Sequence, residues 1–267
     1  MNDLLASYPA SGLLWIAVSL FLIGMSKGGF PVGTVAMPLL VLMWPGESGA
    51  ARAAVGFLLP MLCLMDIGAV WLYRAHINWH RVRRMIPGSL LGVAVAAGLF
   101  ISDQHALIHV TDAALRIAIG TLGLLFVGWY AAGKWILARL ARAHTPGPYA
   151  CFGYGTAAGI TSSLAHAAGP VMQMALLPQR LPKMQFAATM TAYFFTLNLI
   201  KMVPFTLLGR IQAEFLLLGL LMLPIIPLAV LSGFFLVRIT KEHHYTAFIY
   251  VALAVTSLFL ILDGITA

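Results

Sequence analysis

This sequence is short of charge. Only 9% of its 267 residues are Asp, Glu, Lys or Arg, against about a quarter in soluble domains. So few charges cannot cover a water-facing surface, which excludes an ordinary soluble domain and leaves a surface facing lipid. Cysteine is scarcer still. Cys63 and Cys151 both lie in apolar stretches, read as small buried residues, and point to neither a disulfide framework nor a metal site. The first residues, Met1 to Leu5, lack the basic region of a signal peptide, so the first apolar stretch is expected to remain in the mature protein. No Walker loop, nucleophile elbow or His-Glu-x-x-His pattern occurs. ATP-driven pumping and hydrolase chemistry therefore have no support, and neither an enzyme nor a bound cofactor is expected.

The charge that is present is mostly positive, +8 net. Its lysines and arginines gather in short gaps between apolar stretches, as from Arg74 to Arg84 and from Lys134 to Arg142. That is the pattern of cytoplasmic loops, so the bilayer is the expected partner and nucleic acid is not. The apolar stretches run at about 12–44, 48–73, 85–101, 112–131, 149–178, 184–208, 212–238 and 245–263. At about 20 residues per span they predict one transmembrane domain, 1–267, holding roughly eight hydrophobic helices.

The first and fifth stretches are too long for simple spans. Thirty residues of continuous helix would reach about 45 Å, against an apolar layer of about 30 Å. Both are interrupted near the middle, one by Gly28, Gly29, Phe30, Pro31, Val32 and Gly33, the other by Ala165, His166, Ala167, Ala168, Gly169 and Pro170. Each reads as two half-helices joined by a non-helical tip, a backbone tolerated at membrane depth only where protein or a watery cavity satisfies it. A shift of 135 residues lays Gly24 on Gly159, Met37 on Met172 and Gly98 on Gly233, with apolar stretches falling on apolar stretches. This divides the chain into repeat 1 (about 12–131), a cytoplasmic linker (132–148) and repeat 2 (about 149–266).

Loop charges set the orientation. The loops at 74–84, at Arg180 and Lys183, and at Arg238 and Lys241 fall inside, as does the linker. The 102–111 loop, which has no lysine or arginine, falls outside with the short turn at Arg210 and with both termini. The shift then pairs inside loops with outside ones. The expected fold is an all-α polytopic membrane protein of two inverted-topology repeats, each a broken re-entrant-type segment followed by three transmembrane helices, in the cell (cytoplasmic) membrane.

Inverted repeats with broken helices place a substrate site where the breaks meet, and helix starts there offer unpaired N–H groups to an anion. Gly28, Gly29, Gly33 and Thr34 at the first tip, and Gly169 at the second, are candidates, with Pro170 a good start for the following half-helix. Lys27, the only charged residue of its stretch, either binds an anionic substrate or snorkels or pairs with a carboxylate such as Asp66. Asp66 and Lys201 fall at equivalent positions of the two repeats and would pair with each other, gate the path or line it. His166 is a structural histidine, an anion donor or the carrier of a coupling proton. Ser162, Ser163, Thr34 and Ser26 offer hydroxyls, which in lipid more often bond their own helix. Asn198 and Thr189 could reach the site, and helix–helix bonding explains Asn198 nearly as well. His105 and His109 have i,i+4 spacing but no third ligand, and no metal is expected.

The run from Gly24 to Leu40, through Lys27, Gly28, Gly29, Pro31 and Gly33 to Pro38, resembles the Gly-rich first motif of the sulfite exporter TauE/SafE family of membrane permeases. Gly155 to Leu177, then Leu181, Pro182, Lys183, Ala187, Ala188 and Thr189, is similar to its second copy, and the likeness extends over essentially the whole chain. The resemblance implies a permease for sulfur oxyanions such as sulfite, or for organosulfonates, commonly moving them outward. Where that family carries consecutive glycines, this chain has Ala165, His166, Ala167, Ala168 and Gly169, which suggests an altered anion, a larger carboxylate or sulfonate. The expectation is a secondary transporter for a small anion, with a coupling proton as a further partner and a homo-oligomer left open. A channel-like conduit and a membrane redox or assembly partner working through Cys63 and Cys151 are the alternatives.

Overall fold

A computed structural model describes residues 10–32, 40, 50–104, 117, 120–121, 123–125, 127–128, 145–166, 168–209, 211 and 213–266. Gly33, Thr34, His105, His109, Arg210 and most of the 132–148 linker lie outside them. The described chain forms helices α1 (Ala10–Lys27), α2 (Ala50–Tyr73), α3 (Trp79–Gln104), α4 (Pro148–Ala165), α5 (Ala168–Leu176), α6 (Lys183–Leu207), α7 (Ala213–Met222), α8 (Ile225–Ile239) and α9 (Glu242–Thr266). Among the described residues four stretches are long and apolar enough to cross a membrane: Gly56–His76, Trp79–Leu99, Lys183–Leu207 and Glu242–Ile265. Their polarity is that of a membrane protein. Ile67, Leu90, Val203 and Val251 are exposed, whereas Asp66 and Lys201 are wholly buried. Apolar atoms outside and charges inside are stable only in lipid.

Both long stretches break where expected. α1 stops at Lys27, and α4 stops at Ala165 before α5 resumes at Ala168. Two other expectations need correction. The third stretch, read as a short span at 85–101, is the 26-residue helix α3, which takes in Arg81, Arg83 and Arg84. The reason lies in its start, where the Arg81 N–H donates to the Asn78 side chain at 3.3 Å, an N-cap bond that nucleates the helix outside the apolar run. The loop that was set at 74–84 shrinks to a 3-10 turn at Arg74–His76 and two linking residues. There Arg74 lies 4.6 Å from the Trp71 ring, a basic and aromatic pair typical of a membrane interface.

The second correction concerns 212–238, which is not one span. It divides at Leu223–Pro224 into α7 and α8, because Pro224 and Pro227 both lack the N–H that would carry the helix through.

The described residues fall into two compact units. The first comprises residues 1–77 and 187–240, and the second 78–186 and 241–267. In the first unit α1 packs closely on α8. A Cβ at Gly24 would meet that of Ala229, and one at Gly28 would strike the Val230 carbonyl and Gly233. Around them Ile16, Leu20, Leu58, Met65, Met222 and Ile226 form an apolar core. In the second unit α3 and α4 approach through Gly88 and Gly92 against Gly155 and Gly159, where added side chains would run into the facing backbone. Lipid gives helices no hydrophobic reason to associate, so small residues that admit close backbone packing hold such pairs together.

Candidate functional site

The charged side chains converge in the first unit. Lys27 is the last residue of α1, where a cation complements the negative end of the helix dipole. Its ammonium spans both carboxylate oxygens of Asp66 on α2, at 2.8 Å from Oδ1 and 3.0 Å from Oδ2. Asn198 on α6 donates to the same Oδ2 at 2.6 Å. The Phe194 ring lies 5.2 Å from the ammonium, in cation–π range. Lys201, fully buried, lies one helical turn beyond Asn198 on the same helix. The buried cluster thus holds two lysines to one carboxylate, and Asp66 is the only buried acid among the described residues.

Helical spacing builds this cluster. Thr191, Phe194, Asn198 and Lys201 follow one another at three- and four-residue steps on α6, so a single face carries them all. Thr191 donates its hydroxyl to the Lys27 carbonyl at 3.3 Å, and Tyr73 donates to the Gly28 carbonyl at 2.7 Å. These two hydroxyls satisfy acceptors that the end of α1 leaves open. The Gly28 N–H bonds the Gly24 carbonyl at 2.8 Å and the Gly29 N–H that of Ser26 at 2.9 Å, so both glycines close α1 instead of presenting free donors. Gly29 turns the chain at φ +99°, with Tyr73 and Ala187 where a side chain would sit.

The second break, in the other unit, has a different character. His166 caps α4 in the left-handed conformation, φ 50° and ψ 26°, with its N–H on the Ser162 carbonyl at 3.1 Å. Histidine tolerates that region better than most residues that carry a Cβ. The Ser163 hydroxyl donates to the Gly159 carbonyl of its own helix at 2.8 Å, the ordinary fate of serine in lipid. Ser162 is buried beside it. Gly169 sits in open space, with nothing within 4 Å of a prospective Cβ. Pro170 is the third residue of α5, within the first turn, where no helical N–H is missed.

The structure therefore brings together Lys27, Asp66, Asn198 and Lys201, and places Ser162, Ser163, His166 and Gly169 around the second break. For Lys27 it gives the carboxylate pairing that the sequence left as one of two options. Sequence reasoning missed Tyr73, Thr191 and Phe194. Thr191 and Phe194 were findable by stepping back seven and four residues from Asn198, whereas Thr189, named instead, is a further buried residue of the same helix. Tyr73 left no signal, since a tyrosine at the end of a span looks like an interface anchor. Cys63 and Cys151 are both free and buried.

The chain matches no curated protein and no solved structure. The family profile described as sulfite exporter TauE/SafE matches residues 15–260. A match of that extent takes in both helix breaks and every residue of the charged cluster, and the chain belongs to the sulfite exporter TauE/SafE family.

Proposed function

We propose that this protein is a secondary transporter, in the exporting direction, for a small anion of the sulfur-oxyanion or organosulfonate class, sulfite being the simplest. The observation that carries this reading is the buried polar cluster itself: Lys27 and Lys201 beside Asp66 and Asn198, within helices whose outer faces are apolar. Ionisable side chains among spanning helices are expensive and mark a transport path, and two basic groups in one cluster suit a permeating anion. Membership of a family described as sulfite exporters supports the same choice of sign and chemistry. Alternating access would proceed by rearrangement at the breaks after Lys27 and at His166, in the cytoplasmic membrane. Ser162, Ser163, Gly169, Gly28 and Gly29 would shape the path, as would Gly33 and Thr34, and His166 would carry a coupling proton.

Radiolabelled sulfite flux in proteoliposomes tests the proposal. Wild-type protein should give saturable flux that trans-sulfite accelerates, as a carrier does and a channel does not. Lys27→Ala alone would leave Asp66 buried with half its partners, a change of about 3–5 kcal/mol in stability. The informative variant is the double Lys27→Met, Asp66→Asn, which removes both charges at once. It should purify folded and lose the flux. Wild-type flux from it would remove the cluster from the transport path.

A further inference from the structure

The Lys27 ammonium already has an anion: the Asp66 carboxylate, gripped through both oxygens. From this geometry we infer that Asp66 is an internal competitor for the substrate, a built-in counter-ion that yields Lys27 to the incoming anion and takes it back to expel that anion. The inference rests on the anion-transport reading above and deepens it.

Three features fit the exchange. First, the two partners differ in freedom. Asp66 is wholly buried in the body of α2, whereas the Lys27 side chain is 11% exposed and stands at the end of α1, one residue before the Gly28–Gly29 turn. A long flexible stem at a helix end is the movable partner. Second, Asp66 is not abandoned when Lys27 leaves. Asn198 holds Oδ2 independently at 2.6 Å. Without such a second donor, release of Lys27 would strand a bare charge among apolar helices, and the exchange would be blocked. Third, Phe194 offers the ammonium an aromatic face at 5.2 Å, which lets it turn without losing all stabilisation.

The arrangement also answers a requirement of any carrier, which must release what it binds. A cationic site with no competitor would hold a divalent oxyanion too well. A ligand shifts a conformational equilibrium only by the difference in its affinity for the two states, and the Lys27–Asp66 pair supplies that difference: formed in one state, broken in the other.

The test is sulfite affinity of the purified, intact protein in nanodiscs, read by calorimetry, with flux measured in parallel. Asp66→Asn keeps the shape of the side chain and can still bond Asn198, but it no longer competes for Lys27. Sulfite should bind this variant about tenfold more tightly, the factor that ~1.4 kcal/mol of lost competition gives, while turnover falls because release slows. A merely structural role for Asp66 would weaken binding or leave it unchanged, and either result in a folded variant overturns the inference. Wild-type protein that binds neither sulfite nor sulfate nor methanesulfonate would instead sink the anion reading itself. Should Asp66→Asn fail to purify, wild-type protein labelled with 13C-aspartate decides the matter. Sulfite must then shift a carboxylate band in the isotope-edited infrared difference spectrum, and an unshifted spectrum at saturating sulfite overturns the inference.

Discussion

A charged side chain within a spanning helix costs about 2.5–3.5 kcal/mol on insertion scales, and the first unit of this protein keeps Lys27, Asp66 and Lys201 close together in spite of that. Their rarity made them legible in the sequence, since each interrupts an otherwise apolar run. Which of them pair was not legible, because Lys27 and Asp66 are 39 residues apart and Asn198 a further 132 from Asp66. Thr191 and Phe194 share the helical face of Asn198 and were legible only by that spacing, whereas Tyr73 at the end of a span carried no signal at all. His166 presents the reverse case, being conspicuous in sequence and conformationally unusual in structure. A left-handed φ of 50° at a residue with a Cβ is unfavourable by about 1–2 kcal/mol. His166→Gly should therefore raise the melting temperature of the purified protein, and on the proposed reading it should lower sulfite flux by removing the imidazole. A variant that is both less stable and fully active would show that neither the strain nor the ring matters.

Elements are set here by how closely backbones approach as much as by hydropathy. Hydropathy located α2, α6 and α9 well, and the glycine and proline interruptions located the ends of α1 and α4. It failed at α7 and α8, where the apolar run continues unbroken across Leu223 and Pro224 while the helix does not. It also clipped α3, because Arg81, Arg83 and Arg84 look like loop until the Asn78 cap is seen to start the helix before them. Nor does a sequence distinguish a glycine that packs from one that does not. Gly28 and Gly169 both flank helix breaks, yet a methyl group at Gly28 would collide with the Val230 carbonyl, whereas one at Gly169 would meet nothing. Gly28→Ala should therefore separate α1 from α8 and abolish a cooperative thermal transition, while Gly169→Ala should melt within a few degrees of wild type. Size-exclusion profiles and melting curves of the two purified variants check this, and equal stability would mean that the α1–α8 approach is not what holds the first unit together.

The duplication inferred at the scale of the whole chain has a counterpart inside each unit. The 135-residue shift carries α1 onto the region of α4, and the second half of α3 onto α8. In the first unit α1 packs on α8, and in the second unit α4 packs on α3, in both cases through glycines. Each contact thus joins the opening helix of one repeat to a later helix of the other. The correspondence is not residue for residue: Gly233 is tightly packed, while Gly98 at the matching position meets nothing within 4 Å. The opposite sense of the two proposed copies rests on loop charges. If the repeats are inverted, the turn after α2 and its counterpart after α6 open on opposite sides of the membrane, the first inside and the second outside. In a Cys63→Ser, Cys151→Ser background, Ile211→Cys should react with a membrane-impermeant maleimide added to intact cells. Ala75→Cys should react only after the cells are opened. Labelling of both from the same side would make the repeats parallel, and with them would go the mechanism of alternating access by two oppositely directed copies of one unit.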